Sequence, residues 1–183
     1  TLFRSHMRSQ GISAAAEIDW PALIRFKNEF VDAVPSTTTE RFHQAGIETF
    51  HGTAAFDGAT RVAVDREVLE GAAVIVATGA MPMPLPIEGA ERVLSSDDFL
   101  RLEKMPARIV FIGGGYISFE FAHAAARAGA QAAILHMDDR PLPAFDSDMV
   151  EILVAASREN GVEVHMPFEA TAVRQGPNGR LSV

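Results

Sequence analysis

The chain of 183 residues contains no cysteine. A disulfide-stapled secreted module, a thiolate zinc site and a cysteine nucleophile are therefore excluded within these residues. Basic charge is scarce as well: 16 Lys and Arg stand against 24 Asp and Glu, a net charge of −8. Nucleic acid and anionic membrane surfaces both select clustered Lys and Arg, so neither is an expected partner. No apolar run approaches the roughly 18–20 residues of a membrane span. The start, Thr1 to Met7, has no apolar core leading to a small-residue cleavage site, so no signal peptide is expected. It does not open with Met, and the natural start is expected to lie elsewhere. The six His residues never fall at a ligand spacing such as H-x-x-x-H, so no metal site is expected. A cytoplasmic soluble protein is the default.

What is present is enough apolar material, 48%, for a sizeable core in one or two domains. Residues 1–19 show no clear period. From Trp20, apolar residues recur at three- and four-residue intervals through Val34, which predicts an amphipathic helix N-capped by Asp19, with Pro21 in its first turn. A second helix is expected from about Ser36 to Gln44, ended by Gly46. Ile47–His51, Ala54–Phe56, Thr60–Val64 and Glu67–Leu69 then read as a small antiparallel meander broken at Gly52, Asp57-Gly58 and Asp65-Arg66. Ala72 to Ala77 reads as an apolar strand buried on both faces, stopped at Thr78-Gly79 and followed by Pro82, Pro84 and Pro86. A domain boundary is expected within 80–106, a stretch holding one short helix near Asp97–Leu102 capped by Ser95 or Ser96.

The remainder alternates. Strand 108–112, helix 116–128 and strand 132–136 form one βαβ unit, with Gly129 closing the helix. A helix from about Asp146 to Asn160, a strand Val162–His165 and a hairpin turning at Gly176–Gly179 follow. At the centre lies Arg108 to Glu120, an apolar run that turns on Gly113, Gly114 and Gly115 and continues as a helix-compatible segment. A buried strand, a turn too tight for side chains and a helix aimed at a ligand would take this form, with helix N–H groups and dipole stabilising a pyrophosphate. Ser118 occupies the third glycine position, so G-x-G-x-x-G is matched only in part.

Three separated motifs, in order, carry a resemblance. Gly52-Thr53-Ala54-Ala55-Phe56 matches G-x-A-x-F, Ala77-Thr78-Gly79-Ala80-Met81-Pro82 matches A-T-G-x-x-P, and Gly113 to Glu120 matches G-x-G-Y-I-x-x-E. With Phe145-Asp146 and the βαβ order, the chain over 18–183 resembles the middle of the pyridine nucleotide–disulfide oxidoreductases, the flavoenzyme family of glutathione reductase and dihydrolipoamide dehydrogenase. The resemblance implies an α/β fold of two incomplete Rossmann-like domains, with the antiparallel meander in the FAD part. Residues 1–100 would be the back half of the first FAD-binding segment and 106–183 an NAD(P)-binding domain cut short at its C-terminal hairpin.

It also implies roles. Ala54 would meet the FAD adenine, and Ala77, Thr78 and Gly79 would pass close to that dinucleotide. Gly113, Gly114, Gly115, Ile117 and Ser118 would form the NAD(P) turn. Tyr116 would cover the flavin until the nicotinamide displaces it, and Glu120 would lie near both rings. His136 and Met137 stand at the end of the second strand, where ribose is read. The arginines of NADP-preferring members are missing at Met137 and Pro143, and the glutamate of NAD-preferring members is missing at His136. NAD is the expected cofactor, with NADP the alternative.

The chain would then be an internal piece of a homodimeric flavoenzyme that passes hydride from NAD(P)H to FAD and on to a disulfide or other small-molecule acceptor. The redox cysteine pair would lie outside it, and the piece alone would be inactive. Two alternatives are an FAD-dependent NAD(P)H reductase or oxidase without a redox disulfide, and a non-catalytic NAD-binding module.

Overall fold

The structure is a computed structural model that describes residues 18–183. The sequence readings that fall on residues 1–17 lie outside the described residues. The chain divides into two compact units, one of residues 26–83 and one made by the described residues up to 25 together with 84–183. The boundary at residue 25 falls inside the first helix, α1 (Trp20–Val31).

Helix α1 starts as its sequence demands. Asp19 Oδ1 accepts the Ala22 N–H at 3.0 Å, satisfying one of the orphan donors of the first turn. Its apolar stripe is less covered than the periodicity predicts: Trp20 and Ile24 are buried, whereas Leu23, Phe26, Phe30 and Val31 are exposed. Periodicity reports an appetite for burial, and the described residues do not meet it there. Helix α2 (Val34–Gln44) begins two residues ahead of expectation because Pro35 sits comfortably in a first turn.

Strands β1 (Ala54–Phe56), β2 (Arg61–Val64) and β3 (Glu67–Glu70) form an antiparallel sheet in that order, Ala54 opposite Val64 and Val64 opposite Glu67. Two expected strands are not formed. Residues 47–51 take no strand conformation, and neither does 72–77, where Ile75 is 89% exposed. A strand exists through its ladder, and neither segment has a pairing partner among the described residues. The meander is therefore three strands, and this unit holds no parallel sheet among the described residues.

In the larger unit, a 3₁₀ turn at Ala90–Arg92 precedes the short helix α3 (Ser96–Arg101). Ser95 is the N-cap. Its hydroxyl accepts the Asp98 N–H while the Asp98 carboxylate takes the Ser95 N–H at 2.8 Å, a reciprocal capping box. These bonds from Ser95 hold the Asp98 carboxyl below the usual range.

Strands β4 (Arg108–Ile112), β5 (Gln131–Leu135) and β6 (Val162–His165) form a parallel sheet in chain order, connected by α4 (Tyr116–Arg127) and α5 (Ser147–Glu159). Arg108 pairs with Gln131 and Ile112 with Leu135, while Ala132 pairs with Val162 and Leu135 with His165. Asp146 caps α5 through Oδ1 to the Asp148 and Met149 N–H groups. Helix α4 lies over all three strands and α5 against β6. Close approach is possible because α4 buries Ala122 and Ala125, with Phe119 beside them, over Ala132, Ile134, Val162 and Val164. Phe99 anchors α3 by stacking on Phe121, with Phe111 and Trp20 edge-on. The Trp20 indole N–H donates to the Leu102 carbonyl at 2.7 Å.

Strand β4 differs from the fully buried strand its sequence suggests. Among the described residues it pairs only with β5, and Val110 is 45% exposed. Beyond β6, a bridge from Ala172 to Glu88 and an Arg174–Glu88 ion pair at 3.1 Å tie the segment after the sheet to residue 88. That contact lowers the Glu88 carboxyl. The last strands, β7 (Arg174–Gln175) and β8 (Leu181–Ser182), form a short hairpin. No helix among the described residues is long and apolar enough to cross a membrane.

Candidate functional site: the glycine turn at the carboxyl end of the parallel sheet

In open α/β sheets, ligands gather outside the carboxyl ends of the strands. Here the backbone of that end is tightly braced. The Gly113 N–H donates to the Leu135 carbonyl at 2.8 Å, and the His136 N–H to the His165 carbonyl at 3.0 Å. Each bond carries the ladder one step past its strand.

The three glycines of the turn answer three different needs. Gly113 has φ 104°, a conformation that side chains resist. Gly114 is needed for space, since a Cβ there would lie 2.7 Å from His136 Cγ and 2.7 Å from Pro141 Cβ. Gly115 has neither reason. Its φ is −82°, ordinary for any residue, and among the described residues a Cβ there would meet nothing within 4 Å. The space beside Gly115 is open, and the chain keeps it open.

Helix α4 starts at that open side. Gly115 is its N-cap, and among the described residues no side chain caps the orphan N–H groups of the first turn. Tyr116 is 59% exposed at its first position. Glu120 is exposed one turn later on the same face, and Ser118 is half-buried between them. Ile117 is exposed.

Across the turn stands His136, only 9% exposed. Its Nδ1 accepts the Gly114 N–H at 3.1 Å, and its Nε2 is 3.0 Å from the Arg140 carbonyl. Leu142, with φ 53°, closes the loop over the turn by donating its N–H to the Gly114 carbonyl at 3.1 Å. Met137, Asp138 and Asp139 are exposed. The Arg140 guanidinium reaches the Phe145 and Pro143 carbonyls, each at 3.3 Å.

The structure thus brings together Gly113 to Ser118 with His136. Glu120 and Met137 lie in the same unit, while Ala54, Ala77, Thr78 and Gly79 belong to the smaller one. Ala54 opens β1 and is exposed, and Ala77, Thr78 and Gly79 form an exposed segment without strand structure. Gly79 has φ 72° with nothing near its absent Cβ, so backbone conformation alone requires glycine there. Pro141 and Leu142 were not singled out from sequence. Pro141 is fully buried against the turn, and no pattern announces the positive φ at Leu142.

A parallel strand, a glycine turn and an uncapped helix N-terminus define a Rossmann-type β-turn-α unit suited to the pyrophosphate of a dinucleotide. Gly115, the glycine that neither backbone nor packing explains, borders open space at the head of that helix. The chain belongs to the pyridine nucleotide-disulphide oxidoreductase family, whose model matches residues 5–183. It is 32% identical over 171 residues to a glutathione reductase of Burkholderia cepacia, covering 93% of this chain and 38% of the relative. It is 31% identical over 169 residues to a dihydrolipoyl dehydrogenase of Bacillus subtilis, covering 87% and 37%. Among solved structures, the HOCl-induced flavoprotein disulfide reductase RclA from Escherichia coli superposes with a TM-score of 0.80 at 24% identity, over 88% of this chain and 38% of that one, a likeness of fold. The chain therefore spans less than two fifths of the length of these relatives.

Proposed function

We propose that residues 106–183 bind the nicotinamide dinucleotide, and residues up to about 100 contribute to an FAD site, of a flavoenzyme that passes hydride from NAD(P)H to FAD and on to a disulfide-type acceptor. The carrying observation is the open space at Gly115 under the uncapped end of α4. When bound, the flavin supplies a two-electron acceptor for the nicotinamide hydride. The residues of this chain position and shield. The N–H groups at the start of α4 bind pyrophosphate oxygens, and Gly115 lets them approach. Tyr116, on the exposed end of α4, acts as a ring that covers the reacting face and excludes water. Glu120, one turn on, orients the nicotinamide side. In the smaller unit, Ala54 and the Ala77-Thr78-Gly79 segment serve the FAD side, Gly79 by its positive φ.

NAD is the assigned nicotinamide cofactor. Asp138 and Asp139 present negative charge at the end of β5, and the nearby Arg140 guanidinium is already engaged by two carbonyls. A 2′-phosphate would meet repulsion and no free guanidinium there. With no cysteine among its residues, the chain cannot itself reduce a disulfide by thiol exchange. We assign that step, and the homodimer expected of the whole protein, to residues outside this chain.

Calorimetric titration of the chain with NADH and NADPH tests the reading. Binding of NADH, tighter than NADPH, supports it. Tighter NADPH would reverse the cofactor assignment, and no binding of either would overturn the dinucleotide site.

A further inference from the structure

The imidazole of His136 uses both nitrogens within the protein. Nδ1 accepts the Gly114 N–H, so it carries the lone pair, and Nε2 must then carry the proton it donates to the Arg140 carbonyl. Gly114 is held on every side: its N–H by His136, its carbonyl by the Leu142 N–H, and its Cα face by the His136 and Pro141 rings. The His136 contact joins residues 22 positions apart across the carboxyl end of the sheet.

We propose that His136 is a positioning residue, a neutral imidazole that latches the glycine turn to the loop 136–142 and has no ring nitrogen left for the cofactor ribose. This rests on the reading of the turn as the dinucleotide site. The latch fixes the plane of the Gly113–Gly114 peptide and so the direction in which the next N–H groups, at the head of α4, point. It also removes the Gly114 N–H from the set available to phosphate.

Protonation opens the latch. An imidazolium donates at both nitrogens, so Nδ1 can no longer accept from Gly114. Nε2 keeps the Arg140 carbonyl and gains attraction to Asp138, whose Oδ2 is 3.7 Å away. The other charged groups around it are Arg140, turned to the Pro143 and Phe145 carbonyls, and, at the end of β6, His165 paired with Glu163 at 3.0 Å. Residues 113–115 carry no ionisable side chain, and Tyr116 follows them. The form that binds nucleotide holds the imidazole neutral, so acidification shifts the equilibrium away from it and affinity falls.

Two measurements on the 183-residue chain decide this. Long-range ¹H–¹⁵N correlation of the nucleotide-free chain should show the Nε2–H form of His136, and the Gly114 amide should move as that ring titrates. NADH calorimetry at about pH 8 and about pH 5, the range over which histidine side chains can change charge, should show about five-fold weaker binding in acid, the worth of one hydrogen bond. His136→Asn, whose Oδ1 can replace Nδ1 as acceptor, should bind as wild type does at the higher pH and lose the pH dependence. His136→Gln should be about five-fold weaker at both. An Nδ1–H form, pH-independent NADH binding by the wild type, or equal behaviour of the Asn and Gln variants would overturn the proposal. Absence of NADH binding by every variant would overturn the dinucleotide reading and the nucleotide half of this one, while the ring spectrum still decides the latch.

Discussion

Adding one methyl group at Gly114 or at Gly115 should produce opposite outcomes, although the two residues are neighbours. At Gly114 the new Cβ falls 2.7 Å from both His136 Cγ and Pro141 Cβ, and 3.0 Å from His136 Nδ1. None of these is the free end of a flexible chain. Both rings are buried, so relief requires moving the loop, and overpacking of this kind costs about 1–3 kcal/mol. At Gly115 the methyl meets nothing within 4 Å, and φ −82°, ψ 167° suits alanine. Restricting the unfolded chain there stabilises the fold by roughly 0.4–1 kcal/mol. The same restriction acts at Gly114, so the two variants should differ by the overpacking cost, roughly 1–3 kcal/mol in urea unfolding. The signal can be fluorescence of Trp20, the one tryptophan, which is buried. NADH calorimetry should then show Gly115→Ala, the more stable protein, binding at least about ten-fold more weakly, because its methyl fills the space we propose for pyrophosphate. If Gly115→Ala bound NADH like the wild type, that space would have no ligand role. If it unfolded as easily as Gly114→Ala, the packing argument itself would fail.

Three other outcomes follow from the same geometry. Burial, and secondarily the Arg127 charge, push the His123 imidazole below its ordinary value, while its Nε2 sits 2.9 Å from the buried Ser157 hydroxyl. The unfolded chain thus takes up this proton first, so the contribution is full above the ordinary imidazole range and is lost as pH falls from there through the lower folded value. His123→Gln should flatten the acid-side slope of stability, and a slope parallel to wild type would refute this. Ser95→Ala removes the α3 cap and should cost about 1 kcal/mol in urea unfolding; an unchanged midpoint would contradict the capping box. Replacing exposed Ile75 and Val76 by Lys should change stability by less than about 0.5 kcal/mol while raising the concentration at which the chain precipitates. A large loss of stability would show that 72–77 is a packed strand after all.

The larger unit was legible because its signals are local and concordant. The strand readings 108–112 and 132–136, the terminators Gly129 and Gly161, and the caps Ser95 and Asp146 each act within a few residues, and the observed elements begin and end at or beside them. The failures share one cause. The run Ala72 to Ala77 and the stripe Leu23, Phe26 and Phe30 state that burial would be favourable, not that a partner is present, and the described residues leave both exposed. The glycine turn was legible as a motif, but its individual reasons were not. Nothing in the sequence links His136 or Pro141 to Gly114, because that contact depends on how β5 leads into the loop and on the positive φ at Leu142. Sequence placed His136 at the ribose; the structure puts both its nitrogens on the backbone of the turn and the loop.

The central claim is that the head of α4 holds the pyrophosphate of a nicotinamide dinucleotide. Residue-resolved amide spectra recorded during NADH titration of the ¹⁵N-labelled chain test it most directly. The account predicts that the largest shifts fall on Gly115, Tyr116, Ile117 and Ser118, with smaller ones on the 136–142 loop. Shifts centred elsewhere, or none at saturating NADH, would contradict it.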